Sequence, residues 1–448
     1  MGATRLVSVL GLAFGDCGKG LFIDYLCRRW GAHTVVRFNG GGQAGHNVVL
    51  PDGRSHTFSQ FGAGTFVPGT VTLLAYPVIV HPTALLVEHE YLRRAGVDDA
   101  LGRLLIDARC RVTTPFHQAA GRMRELARGE QAHGSCGVGV GETARHALLH
   151  PEQSITYADL AQPAVARDKL EEVRKNLLAQ FDKACRAPSN QRGYAAEFGV
   201  LTDAGVAQRW LDQVAPLLRC APPAPHQAVA ERLHRPGTVL FEGAQGVLLD
   251  EWRGFHPHTT WSSIAPSAVE AVAMDAGQWE KIHHFGALRT YMTRHGAGPL
   301  PTHDARLDHL AEPHNGADGW QGPFRRGHPD ALLLRYALAV AAPLDGLLVS
   351  HLDVFERERT LRWCVAYDVE EGEGRALIGG IVPGTRGDLE HQAQLAKLLV
   401  DARPHYAAHV TGSANQFVSE LEALAQLPVL FGARGPTHEA VSSLAPTP

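Results

Sequence analysis

Short apolar runs alternate with longer segments of helical period along most of the chain. RLVSVLGLAF, HTVVRF, VTLLAYPVIV, RLLID, TVLFEG, DGLLVSHLDVF and VLFGARG read as strands. LFIDYLCRRW, ALLVEHEYLRRAG and ARDKLEEVRKNLLAQFDKACRA, which lie between them, carry the spacing of helices. Strands interleaved with helices predict an α/β fold built on a mostly parallel central sheet. The proline-rich APPAP, ending at Pro225, reads as a connector, and because TVLFEG follows so soon it predicts a loop and not a domain boundary. There is no internal repeat, and only the closing LAPTP is compositionally simple. The expected organisation is one domain over residues 1–448, with a helical and less specified region at about 162–236.

Composition narrows the function. The chain has 448 residues, of which 45% are hydrophobic, enough for a large core. Lys+Arg 42 against Asp+Glu 46 gives a formal net charge of -4 with no basic block, which speaks against a nucleic-acid partner. Small anionic ligands need only local cations and stay open. Seven cysteines without a C-x-x-C pair predict reduced thiols and a cytoplasmic protein. The 25 histidines include no HExxH spacing, so most are expected at the surface. Neither a secretion-signal pattern, an N-myristoylation pattern nor an apolar stretch of membrane-spanning length is present, so no membrane association is expected.

The chemistry is concentrated in glycine-rich loops, the first being GLAFGDCGKG at Gly11–Gly20. A P-loop would place its first glycine at Ala13 and a Ser or Thr at Gly20, so both ends of that motif fail. Gly15, Gly18 and Gly20 also have the wrong gaps for a dinucleotide fingerprint. What remains is a P-loop-like site without a true Walker A motif: strand, tight turn, acid, lysine, helix. Backbone N–H groups and one lysine there can hold an anion, although taken alone the stretch serves equally well as a turn. Similar clusters recur in VVRFNGGGQAGHNVV, HGSCGVGVGETARH, VLFEGAQGVLLD, FHPHTTWSS, YMTRHGAGPLPT, NGADGWQGPFRRG and SHLDVF. Loops beyond the carboxyl ends of parallel strands converge on one cleft.

GDCGKG, GGGQAGHNVV, FEGAQGVLLD, TRHGAGPLPT and SHLDVF, in order from about Val7 to Asp353, resemble the adenylosuccinate synthetases. That family's series is a GDEGKGK-type loop, NAGH, FEGAQG, TRVGAGPFPT and TKLD. The resemblance implies a ligase that joins L-aspartate to IMP with GTP and Mg2+, through a 6-phosphoryl intermediate, as a homodimer. By position it implies Asp16 as base and metal ligand, the Gly45 carbonyl as a second ligand, His46 as acid, and Lys19 on the transferring phosphoryl group. Gly15, Gly18, Gly20, Asp353 and Gly412 would hold GTP, with Asp353 on the guanine N–H groups. Gln43, Ser135, Cys136, Gln245, Thr260, Arg325 and Arg326 would hold the purine nucleotide and the amine. Arg145 would reach the partner subunit's nucleotide. The chemistry needs such groups: a lactam oxygen becomes a nucleophile once a base takes the N1 proton, and an acid answers the charge that builds on phosphate.

Four departures stand out. Cys17 replaces a glutamate, Leu21 a lysine, and Gln43 the asparagine of NAGH. The family's arginine-rich aspartate loop is here ADGWQGPFRRGHPD, where Trp320 and Gln321 are new and the substrate arginine falls on Gly322. Two alternatives to the main reading remain: the same chemistry on another purine-like nucleotide or amine, and a guanine-nucleotide-binding protein without ligase activity.

Overall fold

A computed structural model describes residues 4–129, 132–184, 192–313, 315, 320–371 and 374–448. Cys185 and residues 316–319 of the altered loop lie outside them. Ten strands form the main sheet. From edge to edge they are Val441–Ser443, Val429–Ala433, Gly346–Ser350, Ile282–Arg289, Thr4–Gly11, Gly237–Glu242, Ala32–Arg37, Val71–Leu74, Leu104–Asp107 and Pro223–Ala224. Every pairing is parallel except that of the two strands nearest the C-terminus. The predicted α/β class with a mostly parallel sheet is therefore what the chain forms.

Alternation along the first strand explains why it lies in the middle. Leu6 and Leu10 enter one hydrophobic cluster with Val36, Phe38, Val239 and Phe241, while Val7 and Val9 enter another with Val35 and Leu240. Both faces are thus buried, as a parallel sheet requires. Several runs differ from the sequence reading. VTLLAYPVIV is two strands, Val71–Leu74 and Ile79–Val80, because Pro77 interrupts it. The APPAP connector contributes the edge strand Pro223–Ala224. DGLLVSHLDVF is a strand only to Ser350, after which Leu352–Glu356 turns into 3-10 helix. Ile282–Arg289, a central strand, was not among the predicted runs.

Among the described residues, the predicted helical region holds helices Pro163–Ala184, Arg192–Thr202, Val206–Cys220 and His226–His234, together with the edge strand Pro223–Ala224. The six described cysteines are free. Among the described residues no helix is long and apolar enough to cross a membrane.

The sheet order positions the site. Ser350, Arg289, Gly11, Glu242 and Arg37 end five adjacent parallel strands, so the loops that follow them rise side by side. The loop after the first strand lies between its neighbours. Its closest approach is to Gly246, where an added Cβ would lie 2.0 Å from the Ala13 carbonyl oxygen. Overpacking of this kind costs about 1–3 kcal/mol. Gly246→Ala is therefore expected to lower stability by roughly that amount, read from denaturant unfolding; a variant as stable as the parent would show that the two loops are free to separate.

Candidate active site

The loop Leu12–Gly18 leads into the helix Lys19–Trp30, whose first turn carries no acidic residue. Gly18 takes a positive φ of 76° at the turn into that helix. Lys19 is buried, and its Nζ donates to the Gly15 carbonyl at 2.5 Å. Burial lowers its pKa, opposed by Cys17, Asp16 and Glu242. Gly20 permits the next contact, because a Cβ there would sit 2.7 Å from the Asn47 carbonyl and 3.1 Å from His46 Cβ. The helix start and the strand His46–Val49 are thereby brought into contact.

His46 is held from behind. Its Nδ1 lies 2.5 Å from Glu242 Oε1, at the end of the strand next to the first. The second Glu242 oxygen accepts from the Ala63 N–H at 2.9 Å. A carboxylate acceptor requires the proton on Nδ1, which leaves Nε2 for a ligand. Burial lowers the His46 pKa to about 4, against the pull of Glu242, and Arg37 and Lys19 lower it further. Glu242 titrates below its ordinary value, since Arg37 and His46 together outweigh its burial. The sequence marks Glu242 beside Gln245 at a strand end in VLFEGAQGVLLD but gives it no part in the site; its bond to His46 supplies that part.

Asp16 faces the other side. Burial raises its pKa, but the contact with His295 and the charges of Arg289 and Lys19 prevail, and the value falls to about 2. His295 Nε2 lies 3.5 Å from Asp16 Oδ2. Phe14, two residues earlier, packs beneath the Arg294 guanidinium at 4.1 Å.

Two amides converge near Gly40. The position of a Cβ on that glycine is 3.4 Å from Gln245 Oε1 and 3.5 Å from Gln43 Nε2. The Oε1 atoms of Gln43 and Gln245 are both buried without a hydrogen-bond partner, and Gln245 adopts φ 56°. Buried unpartnered acceptors are rare in folded proteins and mark a place for a donor. The segment containing Thr260 borders them: Thr260 N–H bonds the Leu249 carbonyl, Ser262 Oγ accepts from Gly40 N–H at 2.9 Å, and Asn39 Nδ2 donates to the Ser263 carbonyl.

The remaining predicted residues are placed as follows. Asp353 is ion-paired with Arg357 at 2.7 Å, and its turn packs through Phe355 on Phe417, in the helix that begins two residues after Gly412. Gly45 is exposed beside the His46 strand. Ser135 is exposed, and burial raises the Cys136 thiol, keeping it protonated. Arg145 bonds Glu142 and Gln180 of its own chain. Arg325 donates to the Gly296 and Gly298 carbonyls and Arg326 pairs with Asp308, so neither points freely at a ligand as a bare cation. Trp320 packs on Gly137 beneath Arg122, and Gln321 lies against Gly296. Six histidines, His46, His81, His117, His146, His284 and His328, are buried and not at the surface.

No group of three or more His, Cys, Asp or Glu side chains could hold a metal among the described residues. A magnesium site needs less, because one carboxylate with substrate phosphates and waters is a common arrangement. Asp16 Oδ2, buried without a hydrogen bond, fits such a ligand.

These loops on a mostly parallel sheet define an α/β enzyme whose first glycine-rich loop is not a Walker motif. A family model described as adenylosuccinate synthetase matches residues 8–441, and the chain belongs to that family of GTP- and Mg2+-dependent carbon–nitrogen ligases. It is 30% identical over 451 residues to an adenylosuccinate synthetase of Neisseria gonorrhoeae, covering 98% of each chain. It is 32% identical over 369 residues to that of Nitrosomonas europaea, covering 81% of this chain and 80% of the other. The fold is similar to that of fully ligated adenylosuccinate synthetase from Plasmodium falciparum, with TM-score 0.77, 19% identity, and coverage of 98% and 100%. It is also similar to cyanophage S-2L succinoaminodeoxyadenylate synthetase bound to dGMP and dATP, with TM-score 0.57, 16% identity, and coverage of 98% and 95%.

The buried imidazoles make stability depend on pH. Burial holds His81 at about 4 and His117 at about 3, with His46 and His146 at about 4. The unfolded chain takes up these protons below about pH 6.5, and the folded chain does not until about pH 4. Unfolding therefore binds protons in that window, and stability falls as pH drops through it. His295, Asp250 and Asp330, all raised, oppose this but are fewer. Urea unfolding should give a lower stability at pH 5 than at pH 7; the opposite order would mean that these imidazoles are charged in the folded protein.

Proposed function

We propose that the whole chain acts as one domain that joins L-aspartate to a 2-unsubstituted 6-oxopurine nucleotide, IMP to adenylosuccinate, with GTP as phosphoryl donor. The observation that carries the reading is the pair Asp16 and His46, the first on the loop before the Lys19–Trp30 helix and the second on the strand packed against that helix's start, on either side of buried Lys19. Asp16 takes the N1 proton, and O6 attacks the γ-phosphorus, releasing GDP. His46, aimed by Glu242, meets the charge that builds on the transferring group through Nε2, and Lys19 stabilises the same charge. The aspartate amine then attacks C6, and phosphate leaves with the O6 oxygen. Asp16 and the Gly45 carbonyl would hold Mg2+ with phosphate oxygens, and the ion would offset phosphate charge.

Gln43, Gln245 and Thr260 hold the purine nucleotide, with Ser135 at its phosphate; Cys136, a protonated thiol, packs and does not attack. Gly15, Gly18, Gly20 and Gly412 line the GTP phosphates and ribose, and Asp353 accepts from guanine. Arg145 belongs to a homodimer contact, in which it would leave Glu142 for the partner's nucleotide. The retained Asp16 favours a purine without a 2-amino group, because the carboxylate sits beside C2. One observation favours a second reading, the same chemistry with another amine: Arg325 is already committed to backbone carbonyls and Trp320 occupies the altered loop.

Purified protein with Mg2+, aspartate, GTP or ATP, and IMP or dGMP, followed by mass spectrometry of products, tests this. IMP with GTP should be consumed fastest, and Asp353→Ala should erase the preference for GTP. Faster use of dGMP would move the enzyme to 2-aminopurine substrates; turnover of neither would defeat the reading. Asp16→Asn and His46→Asn should each lower turnover by at least about 10²-fold with the fold intact. Near-full activity in either variant removes that residue from the chemistry.

A further inference from the structure

Asp16 has no partner on its own loop other than charges at a distance; its direct contact comes from the far side of the cleft. His295 ends the strand Met292–His295, which pairs antiparallel with Phe324–Gly327. Its ring stands edge-on to Phe324 at 4.7 Å, which fixes the plane of the imidazole. Nε2 faces two oxygens, Asp16 Oδ2 at 3.5 Å and Asn315 Oδ1 at 3.2 Å. Neither oxygen can donate, so the proton is on Nε2; it is donated to Asn315, and Asp16 Oδ2 stands at ion-pair distance without a hydrogen bond of its own. Asn315 is itself fixed, because its Nδ2 donates to Glu312 Oε2 at 3.0 Å. Glu312 also accepts from Tyr291 Oη at 2.6 Å and pairs with Arg289, whose charge acts on Asp16. The pattern quoted above for the family has valine where His295 stands, and valine can make none of these contacts.

We propose that His295 is a positioning residue that orients the Asp16 carboxylate, and that Asn315 and Glu312, on the stretch preceding Trp320, act on Asp16 through it. The proposal rests on Asp16 being the base of the reaction proposed above. A carboxylate held at one oxygen presents the other in a fixed direction, and misplacing a reacting group by about 1 Å can cost 10²-fold in rate. Through Phe324, which packs on His295, the described part of the altered loop reaches the purine end of the site. His295 turns the carboxylate without touching substrate.

The test is a double-mutant cycle with a rescue variant. His295→Val and Asn315→Ala should each lower kcat by about tenfold while KM for the purine nucleotide stays within about twofold. The double variant should be no slower than His295→Val alone, because Asn315 works through the imidazole. His295→Gln, which keeps an N–H at the position of Nε2, should recover a substantial part of the loss. Unchanged kcat in His295→Val, multiplying losses in the double variant, or a Gln variant no better than Val would each overturn the proposal. Hydrogen–deuterium exchange in residues 12–18 of the substrate-free proteins supplies an arm that needs no turnover. There His295→Val and the double variant should exchange equally and several-fold faster than the parent, and parent-like exchange counts against the proposal. A parent protein that consumes no 6-oxopurine nucleotide defeats the proposed function, and the exchange arm then decides the orientation of Asp16 by itself.

Discussion

Buried charge gathered where the parallel strands end is the constraint around which the rest of this chain is arranged. Lys19, Arg37 and Glu242 are 3%, 2% and 0% exposed, and the uncharged imidazole of His46 beside them is 5% exposed. Each of the three ions would cost several kcal/mol to remove from water without a partner. Their partners come from four separate segments: Glu242 takes His46 and the Ala63 N–H, Lys19 takes the Gly15 carbonyl, and Arg37 takes that of Phe61. None of these contacts forms within a single helix or hairpin. The Glu242 contacts require the strand Gly237–Glu242 to be in place beside its neighbours, and the hydrophobic clusters on both faces supply the stabilisation that holds so many polar groups in place.

Much of the architecture was legible because period and burial agree. The first strand, the Lys19–Trp30 helix and the long helix from Pro163 all have their spacing written in contiguous residues. Ile282–Arg289 escaped because His283, His284 and Arg289 break its apolar run. Inside the sheet those polar groups are answered from elsewhere: Ser8 bonds His284 across neighbouring strands, and Arg289 pairs with Glu312. Such partners are hundreds or tens of residues away and leave no local signature.

The site divides in the same way. Asp16, Lys19, His46 and Gln245 lie in glycine-flanked loops whose spacing can be read, and the family resemblance assigns them parts. Glu242 and His295 act by contact across 196 and 279 positions, which spacing does not encode. The arginines of the altered loop illustrate the converse. Arg325 and Arg326 stand in the sequence as the cations near the altered loop, yet Arg325 is held by two backbone carbonyls and Arg326 by Asp308. The residue type was legible and its orientation was not.

The central place of the first strand has a consequence for biosynthesis. Thr4–Gly11 lies between Gly237–Glu242 and Ile282–Arg289, so neither of its edges can pair until residues near 240 and then 289 have left the ribosome. At about 5–20 residues per second, that interval lasts on the order of 15–60 s. For most of it, until the strand Gly237–Glu242 emerges, an apolar strand has two open edges, and after that it has one. The nascent protein is therefore a natural client for factors that shield hydrophobic segments during synthesis. Truncated chains that stop before residue 280 would keep one of those edges open and be prone to associate through it.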